Sequence, residues 1–435
     1  MKKIQLLRNL VMVAAAMTLT ITAAAQAGQF KVLHEFKGKF DGSTPVAGLI
    51  QDSSGNLYST TLGGGINNSN VCTFGCGTVF ELSPNGSGGW TKTVLYYFTG
   101  KTDGGEPSGS LAMDGAGNLY GTTLNGGSLL CGIPGCGTAF ELSPNGGGGW
   151  TESTIHSFTS GTGGFSPIGL LLDGGNLYGV AFLGGANYGV VYELSPGAGG
   201  VWTETVLHTF ENTDGAGPDS ALYMDSSGNL FGTAMSGGLL TGSCKTFDGC
   251  GTVFELSPAS GGGWNFSEFS IPVVAKGVMP FGAVREDAAG NLFGVATAGG
   301  GTGFEGVMYK LTPITGVFTG WAESVLHRFD VTNGDGPVGL IEDGSGGYYA
   351  AVEGGGETGC NGGCGLVVDM QQTSAGGWEE IVLHHFSGAF DGNTPNPLYV
   401  DGSGNIFGTA ESGGSTACPG GCGTVFEITA PAPVH

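Results

Sequence analysis

Short apolar runs separated by polar, glycine-rich turns recur along almost the whole chain. The runs are about five to nine residues long, are rich in Val, Thr, Phe, Tyr and Leu, and are bounded by Gly, Pro, Asn or Asp. This length and composition are typical of β-strands. Beyond the first 27 residues no stretch keeps a 3.6-residue apolar period over three turns, so the pattern predicts an all-β fold.

The runs follow one another in a fixed order. All six Trp residues open the same kind of run, as in WTETVLHTF (202–210). A loop ending in Pro follows, then an apolar run ending in Asp, a D-x-x-G-N turn, a run such as LFGTAMSGG (230–238), and a run such as GTVFELSP (251–258). Asp and Gly favour a tight turn, so each unit is expected to be four antiparallel strands. A lone sheet of this size cannot bury both faces, whereas stacked units can.

Seven copies of this unit predict a single seven-bladed β-propeller, because propellers typically carry four to eight blades of four strands. FKVLHEF (30–36) resembles the Trp-type strand without its Trp, and GTVFEIT (423–429) resembles the strand that normally precedes it. We therefore expect residues 30–36 to complete the last blade and close the ring. An outer-membrane barrel would need long lipid-facing alternation, which these glycine-interrupted strands lack. The propeller is expected to span residues 28–430, followed by a short tail at 431–435.

The repeated motifs resemble a known family. The pattern G-N-L-Y-G-T-T-x-x-G-G followed by C-G-T-V-F-E-L-S-P is similar to the GloVer tandem repeat of exported bacterial proteins. The layout P-x-x-x-L-x-x-D-x-x-G-N-L-Y resembles, more loosely, the opening of NHL-type propeller blades. The first resemblance implies export and tandem repetition but no established activity. The second implies that the strand before D-x-x-G-N is innermost and that the Trp strand is outermost.

Residues 1–27 have the features of a secretory signal peptide. Lys2, Lys3 and Arg8 form a basic start, an apolar run covers residues 10–25, and Ala25-Gln26-Ala27 is an A-x-A cleavage site. The sequence therefore predicts export to the periplasm or beyond the cell, with no membrane insertion after cleavage.

The charge of the chain limits its partners. The formal net charge is −23, and removing residues 1–27 would leave 10 of the 13 basic residues against 36 acidic ones. Nucleic acids and anionic membranes need clustered basic residues, so neither is expected as a partner. An extracellular glycan or protein remains compatible with this charge, and we expect a monomer. The 90 glycines are attributed to the many tight turns.

The ten cysteines form five close pairs, each between the second and third strands of a unit. In an exported chain such local pairs predict disulfide bonds. A metal site would need four converging ligands, and no His stands near a pair, so neither a metal nor a cofactor is predicted. The predicted pairs are Cys72 and Cys76, Cys131 and Cys136, Cys244 and Cys250, Cys360 and Cys364, and Cys418 and Cys422.

Three sets of polar or aromatic residues recur or break the repeat. The outer-strand His and Trp residues recur at one position each, which favours packing roles. Loops leading into the predicted innermost strand carry Asp41, Asp103, Asp214, Asp335 and Asp391. Asp-Gly suits tight turns, so turn chemistry is the simpler interpretation, and a rim binding a cation or a polyhydroxyl ligand is the alternative. Arg285 replaces an apolar residue on an inner strand, where either a salt bridge to Glu286 or Glu342, or an anionic ligand, would explain it.

No G-x-S-x-G, H-E-x-x-H or phosphate-loop motif is present. The sequence therefore favours a non-catalytic binding or interaction module at or outside the cell surface. One alternative is a hydrolase or lyase that acts on polysaccharide through rim carboxylates. The other is a purely structural repeat protein.

Overall fold

The computed structural model describes residues 28–68, 70–301, 305–314, 320–356, 359–360 and 362–430. The predicted signal peptide at 1–27 and the tail at 431–435 lie outside the described residues. Seven antiparallel sheets form a ring of seven blades, which confirms the predicted propeller. In the described residues the helical elements are five short 3-10 turns, at Lys39–Asp41, Leu129–Cys131, Ala198–Gly200, Gly242–Phe247 and Val274–Lys276.

Each blade is built from an inner, a second, a third and an outer strand in chain order, except that the first strand of the chain, β1 (Phe30–Glu35), belongs to the last blade. Blade 1 contains β2 (Ile50–Gln51), β3 (Leu57–Thr61), β4 (Thr78–Pro84) and β5 (Trp90–Tyr97). Blade 2 contains β6 (Gly105–Met113), β7 (Leu119–Gly127), β8 (Gly135–Pro144) and β9 (Trp150–Ser157). Blade 3 contains β10 (Phe165–Asp173), β11 (Asn176–Leu183), β12 (Val190–Pro196) and β13 (Trp202–Thr209).

The inner strands of blades 4 and 7 are split into two short pieces. Blade 4 contains β14 (Ala216–Pro218), β15 (Tyr223–Met224), β16 (Leu230–Ser236), β17 (Thr252–Pro258) and β18 (Trp264–Ser270). Blade 5 contains β19 (Val278–Glu286), β20 (Leu292–Ala298), β21 (Val307–Ile314) and β22 (Gly320–Arg328). Blade 6 contains β23 (Asp335–Glu342), β24 (Tyr348–Gly354), β25 (Leu366–Gln372) and β26 (Trp378–His385). Blade 7 contains β27 (Asn393–Pro395), β28 (Tyr399–Val400), β29 (Ile406–Ser412) and β30 (Thr424–Ile428), with β1 as its outer strand.

The N-terminal strand closes the ring, as predicted. β1 pairs antiparallel with β30, so that Phe30 lies opposite Ile428 and Glu35 lies opposite Thr424. Blade 7 in turn bonds to blade 1, where the Thr409 hydroxyl donates to the Ala47 carbonyl at 3.1 Å. The first and last strands of the propeller therefore share one sheet, and the hydrogen bonds of β1 cover the outer edge of β30.

Turn chemistry explains why the D-x-x-G-N segment reverses the chain. In blade 1 the carboxylate of Asp52 accepts the backbone N–H groups of Ser54 and Asn56 at 2.8 and 2.9 Å. Gly55 adopts a φ of 84°, which suits a residue without a Cβ. The turn therefore fixes the hairpin between the inner and second strands.

The core lies in the seams between blades and inside each blade. In four blades a buried Phe on the third strand covers a small residue on the second strand, and in blades 3 and 5 a Tyr does so. At Gly121 an added Cβ would lie 2.5 Å from the Phe140 ring, so this position excludes a side chain. Blade 6 has Ala350 at this position because its third strand carries the smaller Val368.

The outer-strand Trp residues pack across the seams. The Trp150 ring meets the Tyr58 ring of the preceding blade at 6.3 Å, and the Trp264 ring meets the Tyr178 ring at 6.0 Å. Large aromatic surfaces buried in this way stabilise blade-to-blade contact. The repeated Trp is thus a structural wedge.

Candidate functional site

The inner strands surround a central channel. Its cavity has a volume of about 310 Å³ and is lined by residues of every blade, from residues 46–49 of blade 1 to residues 396–398 of blade 7. This size falls at the lower end of small-molecule sites, which occupy roughly 300–1,000 Å³. The channel is therefore the place where one ligand can touch all seven blades.

A residue with positive φ precedes the proline at the start of each inner strand. Glu106 has a φ of 57° directly before Pro107, and its N–H donates to the Cys76 carbonyl of the preceding blade at 2.8 Å. A positive φ is uncommon for a residue with a side chain, and the bond across the seam holds it in place. The seven equivalent residues with positive φ are Thr44, Glu106, Ser166, Gly217, Met279, Gly336 and Thr394.

The residue that follows this proline lines the channel, and its type differs between blades. In chain order the seven positions are Val46, Ser108, Ile168, Asp219, Phe281, Val338 and Asn396. Asp219 is the single carboxylate in the set, and among the described residues its carboxylate has no hydrogen-bond or ion-pair partner. Burial raises the pKa of Asp219 to about 6. An acceptor with no internal partner is therefore presented to whatever fills the channel.

Arg285 also lines the channel, nearer the other end of its inner strand. Its Nη1 donates to the Val284 carbonyl at 3.2 Å. Within the described part of the chain no ion pair within 4 Å joins Arg285 to Glu286 or Glu342, although Glu342 attracts it from farther away. Burial lowers the pKa of the Arg285 guanidinium, which indicates an incompletely compensated charge.

Two glutamates break the repeat near the end of the second strand. They lie on the side of the propeller that carries the loops between second and third strands, which is called the upper side below. Glu353 borders the channel, and Glu411 is its equivalent in blade 7. Loss of solvation, then the charges of Glu411 and Asp335, raise the pKa of Glu353, and burial raises the pKa of Glu411. The other five blades have Leu62, Leu124, Phe182, Met235 and Thr297 at this position.

Sequence reasoning missed Asp219, Glu353 and Glu411. Asp219 is hidden in a run that otherwise reads as an ordinary inner strand. The available signal was the repeat itself, because a column-by-column alignment of the blades shows apolar residues or Thr where Glu353 and Glu411 stand.

Four of the five predicted rim aspartates are bound within their own loops. Asp103 accepts the Thr99 N–H at 2.8 Å, and Asp391 accepts the Ser387 N–H at 3.0 Å. Asp41 and Asp214 bond in the same way to the N–H groups of residues 37 and 211. These contacts favour turn chemistry for those four residues. Asp335 differs, because its carboxylate has no partner in the described residues and lines a depression on the upper surface beside Glu353.

The recurrent histidines hold the seams rather than the channel. His34, His208 and His384 contact the loop carboxylates of Asp41, Asp214 and Asp391 at 3.1, 2.9 and 3.2 Å. Where no loop Asp reaches the histidine, the next blade supplies a glutamate instead. These contacts join His156 to Glu204 at 3.2 Å and His327 to Glu380 at 2.9 Å. The predicted His, Asp and Arg residues are therefore not brought together into one site.

All five predicted cysteine pairs are disulfide-bonded, with Cα–Cα distances from 4.9 to 5.3 Å. They lie in the loops between second and third strands, which share the upper face with the loops that lead into the inner strands. In the part of the chain that the structure describes, no group of three or more His, Cys, Asp or Glu side chains is arranged to hold a metal ion. Nor does any described helix have the length and apolar character needed to cross a membrane.

Two solved structures that match this chain share little sequence with it. The extracellular domain of a one-component system from B. thetaiotaomicron is 10% identical with a TM-score of 0.51, covering 94% of this chain and 42% of that one. This chain thus spans less than half the length of that relative. A luciferin-regenerating enzyme is 11% identical with a TM-score of 0.42, covering 92% of this chain and 95% of that one. At 10% identity the first similarity shows the fold alone.

The sequence matches a family model but no curated protein. No curated protein matches the sequence. The family model described as the Gloeobacter/Verrucomicrobia repeat matches residues 17–247 and again residues 132–364. Together these matches span most of the chain and most of the propeller blades. The chain belongs to the Gloeobacter/Verrucomicrobia repeat family.

Proposed function

We propose that this protein is an exported, non-catalytic binding module that holds a small polyhydroxyl ligand in its central channel. The observation that carries the proposal is the carboxylate of Asp219, which faces the channel without a partner among the described residues. Leaving such an acceptor unpaired in a poorly solvated cavity costs free energy, and a ligand hydroxyl would offset that cost.

The rest of the channel wall suits a sugar. Asn396 donates its amide N–H to the Pro45 carbonyl at 2.9 Å, so its own carbonyl oxygen is oriented and able to accept. Ile168 and Phe281 line the same cavity and offer apolar surface to the C–H faces of a ring. A few polar groups among apolar ones are typical of small-molecule sites.

Export is supported by sequence and structure together. Residues 1–27 have the pattern of a signal peptide, and five disulfides indicate an oxidising compartment.

A polysaccharide hydrolase is the second candidate, for one specific reason. Asp219 and Glu353 line the same cavity, and the pKa of each is raised. Glycoside hydrolysis uses two carboxyl groups that face one substrate, one of them protonated.

Calorimetric titration of residues 28–435 with neutral mono- and disaccharides at pH 7 tests the proposal. We expect saturable binding that Asp219→Asn weakens by about 10-fold or more, because a charge-assisted hydrogen bond is lost. Asp248→Asn, on an exposed loop, is the matched control and should bind normally. Absence of binding by every sugar, or full binding by Asp219→Asn, would overturn the proposal. New reducing ends released during incubation would favour the hydrolase.

A further inference from the structure

We infer that the channel ligand carries an anionic group and that Arg285 receives it, so that the ligand class is a short acidic sugar. This inference rests on the proposed function, because it assigns a charge to the ligand of that same channel.

The guanidinium of Arg285 has more donors than the protein uses. An arginine side chain carries five N–H donors, and the Val284 carbonyl accepts the one hydrogen bond that this side chain makes among the described residues. None of its unpartnered nitrogens is among the side-chain atoms sealed from solvent. The free donors are therefore accessible from the channel that Arg285 lines.

The neighbouring carboxylates do not neutralise this charge at short range. Glu286 is adjacent on the strand, so its side chain points to the opposite face of the sheet. Glu342, at the end of the inner strand of blade 6, interacts electrostatically but makes no ion pair within 4 Å among the described residues. A cation in a poorly solvated cavity is costly without a close counter-ion, and a bound anion would supply one.

The position of Arg285 relative to Asp219 limits the size of the ligand. Phe281 occupies in blade 5 the position that Asp219 occupies in blade 4, and Arg285 lies four residues farther along the strand. β19 bulges between these positions, because Phe281 lies opposite Val295 and Arg285 lies opposite Phe293. Four residues of the inner strand therefore advance by only two residues of the partner strand, about 7 Å along the channel. A ligand that reaches both groups therefore spans about 7 Å or more, a length that a sugar ring with a charged substituent or a disaccharide provides.

Three anionic groups would suit a guanidinium, and the test separates them. Residues 28–435 are titrated at pH 7 with a neutral disaccharide and with forms of it that carry a carboxylate, a phosphate or a sulfate. We expect one or more acidic forms to bind about 10- to 100-fold more tightly than the neutral form, since a bidentate contact to arginine is made.

Arg285→Met should remove that preference, so that the acidic and neutral forms of the sugar bind to this variant with equal affinity. Arg285→Lys should retain part of the preference, because it keeps the charge but loses the bidentate geometry. Lys245→Met, which removes an exposed cation from a loop of blade 4, is the matched control.

Melting temperatures show whether each variant is folded. Even if Arg285→Met is unstable, the affinities of the wild type for acidic and neutral sugars still test the inference. Equal binding of neutral and acidic sugars by the wild type would overturn the inference while leaving the proposed function intact. A preference that survives in folded Arg285→Met would also overturn it. Failure of every sugar to bind would overturn the proposed function itself.

Discussion

Phe30 stacks face to face on His384, with ring centroids 3.6 Å apart and an angle of 4° between the planes. Phe30 lies on the N-terminal strand and His384 on the outer strand of blade 6, so the stack joins the first strand of the propeller to the last complete blade. Phe266 stacks on His208 in the same way, at 3.5 Å and 2°, between blades 3 and 4. The seam formed by ring closure is thus packed like a seam within the continuous chain.

Deleting residues 28–36 should lower the melting temperature strongly. The deletion removes β1, exposes the edge of β30, and removes the Phe30 contact with blade 6. Both the last sheet and its seam lose contacts at the same time. Deleting residues 431–435 is the control at the other terminus. Equal melting temperatures for the first deletion and the full chain would show that β1 is dispensable.

The two matched stacks allow a finer comparison. Phe30→Ala and Phe266→Ala should each reduce the free energy of unfolding by about 2–3 kcal/mol, because each removes a largely buried ring. Chemical denaturation measures both values. A much smaller loss for Phe30→Ala would indicate that the closing seam is weaker than an internal one.

The repeat made most of the fold predictable, whereas the seams and the channel were not. Strands, turns and disulfides depend on residues close together in sequence, so GNLYGTT or CGTVFELSP determines them locally. A seam histidine pairs either with a loop aspartate, such as Asp391, or with a glutamate of the next blade, such as Glu204. Which of the two it contacts depends on the residue that the next blade places opposite the outer strand. Asp219 is one polar residue within an otherwise ordinary strand sequence. Only the structure shows that its carboxylate lines the channel without a partner among the described residues.

Asp219→Asn should stabilise the protein at pH 7 by about 1–3 kcal/mol. The folded-state pKa of Asp219, about 6, is above its ordinary value of 3.8, so the ionised carboxylate is unfavourable in the folded protein. This cost is fully present above pH 6 and disappears as the pH falls towards 3.8. The stability difference from the wild type should therefore vanish near pH 4. A destabilised Asp219→Asn at pH 7 would mean that the carboxylate has a favourable partner.

The seam histidines should make the protein less stable at acidic pH, which is the opposite of the effect expected for Asp219. Burial lowers the pKa of His208 and His384 below the ordinary 6.5, despite their aspartate partners. The unfolded chain then binds more protons just below pH 6.5, and stability falls as the pH decreases through that window. His384→Gln should reduce the loss of stability between pH 7 and pH 5. An unchanged pH profile in His384→Gln would contradict the assignment.

Mass spectrometry of non-reduced peptides should show five bonds within loops and no free thiol. Replacing Cys418 and Cys422 by alanine should cost about 2 kcal/mol, because the bond closes a loop of only a few residues. The variant should still fold, since blades 3 and 5 form without a disulfide. Complete unfolding of the double variant would show that the loop bonds carry more of the stability than their length predicts.

Tyr192→Phe should leave the protein as stable as the wild type or increase its stability by about 1 kcal/mol. The Tyr192 hydroxyl is fully buried and has no hydrogen-bond partner among the described residues, so it has lost its hydration without compensation. Four other blades carry Phe80, Phe140, Phe254 and Phe426 at this position, which shows that the site accepts the ring alone. Tyr97→Phe, on a partly exposed outer strand, controls for the substitution itself. A loss of more than about 1 kcal/mol in Tyr192→Phe alone would mean that the hydroxyl has a partner, with a buried water bridging it to Glu204 as the nearest explanation.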